Sequence, residues 1–316
     1  MHDLSIIIVS TNEARWLRAC LSSVFAHSGQ CKLDVVVADN ASTDGTRDLV
    51  ESEFPQARVI ACANHGFGHA NNRALMTTSS RYVLFLNPDT EIVAGSFAEL
   101  VRMLDARPDV GLVGVKQLAG DGELYPTIRR FPNALRALGQ GLLSERFPIQ
   151  PRLLFERELD PAQYERDVEC DWTSGSFMLC RREALQGAGF MDERFFIYSE
   201  EPDLCRRVKQ AGWTVRHLPS MTIIHYAEKA GVRPRMAAQD VYSRMQYASK
   251  HFSLVHSLAY QAALAFGIVR RWLVAGGGAP MGERRAAEAA ALRVLTRRDG
   301  PPFGEPPGQA VRPPAA

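Results

Sequence analysis

The first part of the chain alternates short apolar runs with amphipathic segments. Residues 4–9, 33–38, 58–61, 81–86 and 110–115 are apolar stretches of strand length. Between them, residues 13–26 place Trp16, Leu17, Cys20, Leu21 and Val24 at helical spacing, and 46–53, 68–78 and 96–105 also read as helices. Continuous apolar strands separated by amphipathic helices predict an α/β fold with a mostly parallel sheet covered on both faces. The regularity fails from 117 to 169, an Arg-, Pro- and Leu-rich stretch that reads as an irregular insertion forming the second half of a site. A strand at 172–180, a short helix at 181–186, a helix at 201–211 and a strand at 214–218 follow. Pro202 in the first helical turn and Gly212 just past the end suit the helix at 201–211. Residues 235–251 and 254–274 read as two C-terminal helices. The Ala/Arg/Glu-rich segment after the three glycines at 276–278 carries a further helix signal, and the Pro- and Gly-dense stretch from about Asp299 predicts disorder.

Composition narrows the class. A chain of 316 residues with 46% hydrophobic and 23% charged residues fits a soluble globular protein of one or two domains. A formal net charge of +2 gives no electrostatic reason for a nucleic-acid partner. The six cysteines form no CxxC pair, which argues against a zinc ribbon or a redox motif and for buried free thiols in a reducing compartment. No secretory leader pattern is visible, so a cytoplasmic protein is expected. Residues 253–269 are apolar but interrupted by His256 and Gln261 and followed by Arg270 and Arg271. That fits an interfacial or packed helix better than a membrane span.

Five constellations could carry chemistry, and each has a plain structural alternative. The strand at 33–38 runs into Asp39-Asn40-Ala41-Ser42-Thr43-Asp44. Open α/β sheets bind ligands outside the carboxyl ends of their strands, but Asp and Ser there are also good turn and cap residues. The segment Asn64-His65-Gly66-Phe67-Gly68-His69-Ala70-Asn71-Asn72 enters a helix, where glycines and a helix N-terminus suit phosphate and where a tight turn would look the same. Asn87-Pro88-Asp89 ends a strand on a carboxylate able to hold Mg²⁺ or Mn²⁺, or simply makes a Pro-Asp turn. Glu200, Glu201 and Asp203 sit at a helix start, whose dipole should favour the ionised form a general base needs. His225 follows an apolar run and is either a metal ligand or a structural imidazole.

Taken together and in this order, these segments resemble the family 2 inverting glycosyltransferases with a GT-A fold, the bacterial rhamnosyltransferase branch in particular. Ser5-Ile6-Ile7-Ile8-Val9-Ser10-Thr11-Asn12, Trp172-Thr173-Ser174-Gly175-Ser176-Phe177-Met178 and Gly189-Phe190-Met191-Asp192-Glu193-Arg194-Phe195-Phe196 complete the likeness, which spans roughly residues 3 to 230. The resemblance implies a Rossmann-like central sheet with a C-terminal helical extension. Thr11, Asn12, Asp39, Asn40, Asp44, Asn64, Gly66, Phe67, Asn71 and Asn87 would then face a dTDP- or UDP-sugar. Asp39 would contact the base. Asp89, with His225, would hold a divalent metal, Asn87 standing where the family's metal motif has its first carboxylate. Trp172, Ser174 and Gly175 would line the acceptor side. The base falls in the Glu200-Glu201 pair, at Glu201, where relatives carry Asp. That longer side chain moves the carboxylate by about one methylene, and an error of about 1 Å can cost ~10²-fold in rate. Glu200 or Asp203 could share the load.

The organisation expected from this is a transferase domain over 1–232, with a nucleotide-binding half to 116 and an acceptor half from 117. Membrane-associating helices follow over 233–275, then a largely disordered tail over 276–316. The implied reaction is metal-assisted transfer, with L-rhamnose from dTDP-L-rhamnose the first choice of donor, to a saccharide or polyprenyl-linked glycan. A peripheral site on the inner face of the bacterial cytoplasmic membrane and a second copy of the chain are the further candidate partners. The alternative is a nucleotide-sugar-binding protein with impaired or no transfer activity. A dinucleotide-binding oxidoreductase is disfavoured because Ser10-Thr11-Asn12-Glu13 replaces the glycine-rich turn.

Overall fold

A computed structural model of the chain describes residues 2–143, 151–227, 233–274 and 279–304. The apolar run of β1 (Leu4–Ser10) is buried at every position, as a strand covered on both faces must be. It is followed by α1 (Ala14–Ala26), β2 (Leu33–Asn40), α2 (Thr46–Glu53), β3 (Ala57–Cys62), α3 (Phe67–Leu75) and β4 (Tyr82–Leu86). These four strands are parallel, in the order β3-β2-β1-β4. Then come β5 (Thr90–Ala94), α4 (Phe97–Asp105), β6 (Val110–Ala119), α5 (Ala134–Leu142), β7 (Val168–Glu169), β8 (Phe177–Arg181), α6 (Arg182–Ala188), α7 (Glu200–Gln210) and β9 (Thr214–His225). They extend one sheet to β3-β2-β1-β4-β8-β6-β9-β5, with β7 on β9. The expected α/β architecture holds, and beyond β4 the sheet is mixed. β8 is antiparallel to β4 and β6, while β6 and β9 are parallel.

Alternation along the strands divides the core. Ile6 and Ile8 face α1 and α4 through Leu17, Leu21, Phe97 and Leu100. Ile7 and Val9 face the layer that holds Ala70, Leu185, Leu204 and Val208 of α3, α6 and α7. All six cysteines are free thiols, and Cys20, Cys170, Cys180 and Cys205 are buried.

The structure departs from the sequence reading at several elements. The strand expected at 172–180 joins the sheet only from Phe177; Trp172 makes an isolated bridge to Arg129, and the residues between form a loop against α7. The strand expected at 214–218 continues to His225. Its register against β6 shifts between Val115 and Lys116, whose partners are Leu218 and Thr222, so Pro219 sits in the bulge, where its missing N–H costs nothing. The irregular insertion contains α5, capped by Asn133 Oδ1 on the Arg136 amide at 2.8 Å.

The C-terminal helices α8 (Pro234–His251), α9 (Leu254–Val274) and α10 (Ala279–Leu295) pack with α5 beside the sheet domain. The expected disordered tail is corrected in part. Ala291, Val294 and Leu295 of α10 are buried against α8 and α9. Further on, the Phe303 ring stacks on Phe196 at 4.5 Å. Residues from 305 lie outside the described ones. Among the described residues no helix is long and apolar enough to cross a membrane.

Candidate active site

The sheet order gathers the polar strand ends on one edge. Asp39 near the end of β2 lies opposite Ser10 at the end of β1, and β4, on the other side of β1, delivers Asn87. Because β8 runs antiparallel to β4, its entry loop returns to the same edge, where the Asn87 amide donates to the Ser176 carbonyl at 3.0 Å. His225, the last residue of β9, pairs with Thr90 across β5.

The loops after β1 and β2 brace one another. Asn12, at φ 57°, accepts the Thr43 amide on Oδ1 at 2.7 Å and donates its own amide to Ser42 Oγ at 3.0 Å. Asp44 accepts the Ala14 amide at 2.9 Å and the Thr46 hydroxyl at 2.5 Å. Asn12 and Asp44 therefore shape the loops. Asp39 is freer: Oδ1 accepts the Ser42 amide at 3.0 Å, and Oδ2 has no hydrogen bond among the described residues. Thr11 is exposed beside them. Asn40 donates to Asn64 Oδ1 at 3.0 Å, tying the second loop to the third.

In the third loop the glycine has a packing reason. Gly66 sits at φ 106°, and a Cβ there would lie 2.4 Å from the Phe196 carbonyl oxygen. The Phe67 amide donates to that same carbonyl at 2.8 Å. So the backbone approach expected toward a phosphate is made, at this position, toward the chain itself. Asn71 donates to the Phe67 carbonyl at 2.9 Å, and its buried Oδ1 has no partner among the described residues. Glu193 holds the loop from the other side, accepting from Asn72 Nδ2 at 2.9 Å and meeting His69 Nδ1 at 2.8 Å.

Asp89 and His225 meet at the next corner, Oδ1 to Nε2 at 3.4 Å. The Asp89 carbonyl accepts the Tyr226 amide at 3.0 Å, and the Tyr226 ring stacks on Trp16 at 4.6 Å. Asn87 serves through its backbone, its carbonyl accepting the Thr90 hydroxyl at 2.7 Å. Among the described residues no group of three or more His, Cys, Asp and Glu could hold a metal. Two donors at one corner fit an ion that takes its remaining ligands from substrate and water, as Mg²⁺ commonly does.

The acidic cluster at α7 divides into three fates. Tyr198 and Ser199, at φ 71° and 69°, form a left-handed pair just before the helix. Such backbone costs about 1–3 kcal/mol per residue and persists where the surroundings fix it. The turn sends Glu201 into a cavity of about 290 Å³ that Tyr125, Arg129, Trp172, Ser174 and Tyr198 also line. Gly175 donates its amide to Glu201 Oε1 at 3.2 Å. A Cβ on Gly175 would stand 2.7 Å from that oxygen, so the glycine makes the room that the longer Glu side chain needs. Gly175→Ala should displace the carboxylate and lower kcat for transfer by about 10²-fold with donor affinity kept. An unchanged kcat would show that Glu201 needs no such seat.

Burial opposes the helix dipole at two of the three carboxylates. Burial pushes the Glu201 carboxyl above its usual range, with the Gly175 N–H and the Arg129 guanidinium pulling it part of the way back. Glu200 is pushed well above that range by burial and by the Glu201 charge, and its buried Oε2 has no partner among the described residues. Glu200 therefore resists ionisation beside Glu201. Asp203 is also corrected. It is fully buried outside the cavity, with Lys250 Nζ at 2.6 Å, His251 Nε2 at 2.7 Å and Arg207 Nη2 at 2.7 Å. Burial would raise its carboxyl, but His251, Arg207 and Lys250 hold it below the usual range. A carboxylate so saturated anchors α7 to α8. Asp203→Ala should cost about 3–5 kcal/mol in urea unfolding, because the largely buried Arg207 and His251 lose their carboxylate partner. A loss under about 1 kcal/mol would contradict that role.

Several residues of this site gave no signal in the sequence. Arg129 faces Glu201, stacks its guanidinium on Trp172 at 5.1 Å and comes from the aperiodic insertion. Trp172 itself is fixed by its indole N–H on the Arg130 carbonyl at 2.9 Å.

Comparison with known proteins places this geometry. The profile of Glycosyl transferase family 2 matches residues 5–187. The chain is 31% identical over 237 residues to an N-acetylglucosaminyl-diphospho-decaprenol L-rhamnosyltransferase of Mycobacterium tuberculosis, covering 71% of this chain and 76% of that one. It is 25% identical over 236 residues to the rhamnosyltransferase WbbL of Escherichia coli K12, covering 70% and 83%. Among solved structures, a mannosyltransferase from Pyrobaculum calidifontis in complex with GDP-Man and Mn²⁺ superposes with a TM-score of 0.55 at 17% identity, covering 94% and 88%. The chain belongs to glycosyltransferase family 2: it is a rhamnosyltransferase-like enzyme with a GT-A fold.

Proposed function

We propose that the enzyme transfers L-rhamnose from dTDP-L-rhamnose, with inversion, to a hydroxyl of a polyprenyl-diphosphate-linked saccharide of the cell envelope. The observation that carries this is the seat of Glu201: a carboxylate fixed by Gly175 in a cavity whose Tyr125 ring meets His225, the partner of Asp89. The named activities of the M. tuberculosis and E. coli relatives support the sugar, and that of the M. tuberculosis relative supports the lipid diphosphate.

In this reading Asp39 Oδ2 accepts from the pyrimidine base. The donor diphosphate lies between the Asp39 loop and Asp89. Asp89 and His225 would hold a divalent ion, and such an ion would supply charge neutralisation at the nucleoside diphosphate. The acceptor sugar enters between Trp172, Tyr125 and Arg129. Glu201 takes the proton of its hydroxyl as the oxygen attacks the anomeric carbon from the face opposite the diphosphate.

Incubation with dTDP-L-rhamnose and a prenyl-diphosphate-linked N-acetylglucosamine, with and without EDTA, tests the reading. A rhamnosylated acceptor of inverted configuration, lost in EDTA, is expected. Retention of configuration would remove the single-displacement scheme, and full activity in EDTA the metal.

The raised carboxyl of Glu201 fixes the sign of a pH effect. The base must be ionised, and its carboxyl releases the proton above the usual 4.5. So kcat/KM should rise with pH through a midpoint above that value, and the limb should vanish in Glu201→Gln. A limb at or below 4.5 would contradict the buried seat.

A further inference from the structure

A second cavity is larger than the one that holds Glu201. It measures about 880 Å³ and lies between α5, α8, α9 and α10 and the insertion. Six arginines line it: Arg129, Arg157, Arg244, Arg270, Arg271 and Arg284, against the two carboxylates Glu156 and Asp240. Arg244 engages both carboxylates, Asp240 Oδ2 at 2.8 Å and Glu156 Oε1 at 3.7 Å. Arg271 is paired with Glu288 outside the lining set at 2.6 Å. Arg270 and Arg284 have no ionic or hydrogen-bond partner among the described residues. A hollow with this cationic excess suits a compact polyanion, and guanidinium groups match phosphate oxygens in pairs.

Two neighbours say which polyanion. Arg129, Glu156, Arg157, Asp240 and Arg244 also line the Glu201 cavity, so the two spaces share a wall and a sugar at Glu201 would point its substituent into the arginines. On the other side, Ile268 and Val274 of α9 line the hollow, and the same helix exposes Phe266, Val269, Trp272 and Leu273. An arginine chamber that adjoins both a sugar site and an uncovered apolar helix matches a molecule that is sugar, then diphosphate, then hydrocarbon.

We infer that this chamber binds the diphosphate of the lipid-linked acceptor and that the exposed face of α9 takes the first isoprene units. The inference rests on the transfer reading for the sugar end and adds a second anion site apart from the donor's at Asp89. It makes the acceptor's diphosphate a specificity element: the same saccharide on an uncharged alkyl chain lacks the group that the arginines hold.

The test uses the full chain and Arg270→Gln/Arg284→Gln, two partnerless side chains whose loss should leave the melting temperature unchanged. Calorimetry measures binding of farnesyl diphosphate, with farnesol as the uncharged control. Wild type should bind the diphosphate, farnesol should bind much more weakly, and the double variant should lose about tenfold or more per arginine. In transfer assays the variant should raise KM for a prenyl-diphosphate saccharide to a similar extent and leave both kcat and the donor KM alone. Unchanged farnesyl diphosphate binding in the variant would overturn the inference. So would a variant that loses only binding to phosphatidylglycerol vesicles, since the arginines would then form a general lipid-headgroup patch. If the variant loses the diphosphate while wild type transfers no sugar to any acceptor, the chamber stands and the transfer reading falls.

Discussion

Glu201→Gln is expected to lower kcat for sugar transfer by about 10³-fold while donor affinity stays within about twofold of wild type. Positioned general bases typically contribute 10²–10⁴-fold, and the amide keeps the shape but cannot take the acceptor proton. The geometry makes the expectation sharp. Glu201 is the one carboxylate of the α7 start that lines the cavity, while burial and the Glu201 charge oppose ionisation of Glu200 and Asp203 is spent on Lys250, His251 and Arg207. The other carboxylates of that cavity, Glu156 and Asp240, are both engaged by Arg244. Rapid-quench measurement of product at saturating donor, with donor binding followed separately, checks this. A loss below about tenfold would move the base elsewhere.

Asp89→Ala should be nearly as severe, with about 10³-fold lost from kcat/KM. Charge neutralisation by an ion at a leaving diphosphate is worth several kcal/mol, at about 1.4 kcal/mol per decade of rate. Here only His225 would remain at the corner. The variant should also lose any gain in donor affinity that Mn²⁺ gives the wild type, which a titration of dTDP with and without Mn²⁺ would read. A variant that binds dTDP and responds to Mn²⁺ as wild type does would remove Asp89 from the metal corner. The same titration on His225→Ala should give a smaller loss, since the carboxylate remains.

Much of this site is legible in the sequence because it lies where strands end. Apolar runs such as 33–38 and 81–86 declare themselves, and the first polar residues after them, Asp39 and Asn87, must fall at the sheet edge. What the sequence hides is contact between distant segments. That Gly66 is small for Phe196, and Gly175 for Glu201, follows only from packing across more than a hundred residues in one case and twenty-six in the other. The cost feared for Glu in place of Asp at 201 is met by that second contact, which no local pattern encodes. The three acids at 200, 201 and 203 look alike in a string, and their different fates come from burial and from α8, which supplies Lys250 and His251. The insertion was opaque because its work is done by single side chains, Tyr125 and Arg129, without a period. α10 and Phe303 show the opposite error, composition suggesting a loose tail where Ala and Val pack on α8 and a ring stacks on Phe196.

The central claim is coupled transfer at Glu201, and one measurement addresses it most directly. Wild type and Glu201→Gln are incubated with dTDP-L-rhamnose and a prenyl-diphosphate-linked N-acetylglucosamine, and dTDP and glycosylated acceptor are quantified in the same sample by mass spectrometry. The account predicts equal amounts of dTDP and rhamnosylated acceptor from the wild type and almost none of either from the variant. Release of dTDP without acceptor product, or equal product from Glu201→Gln, would contradict it.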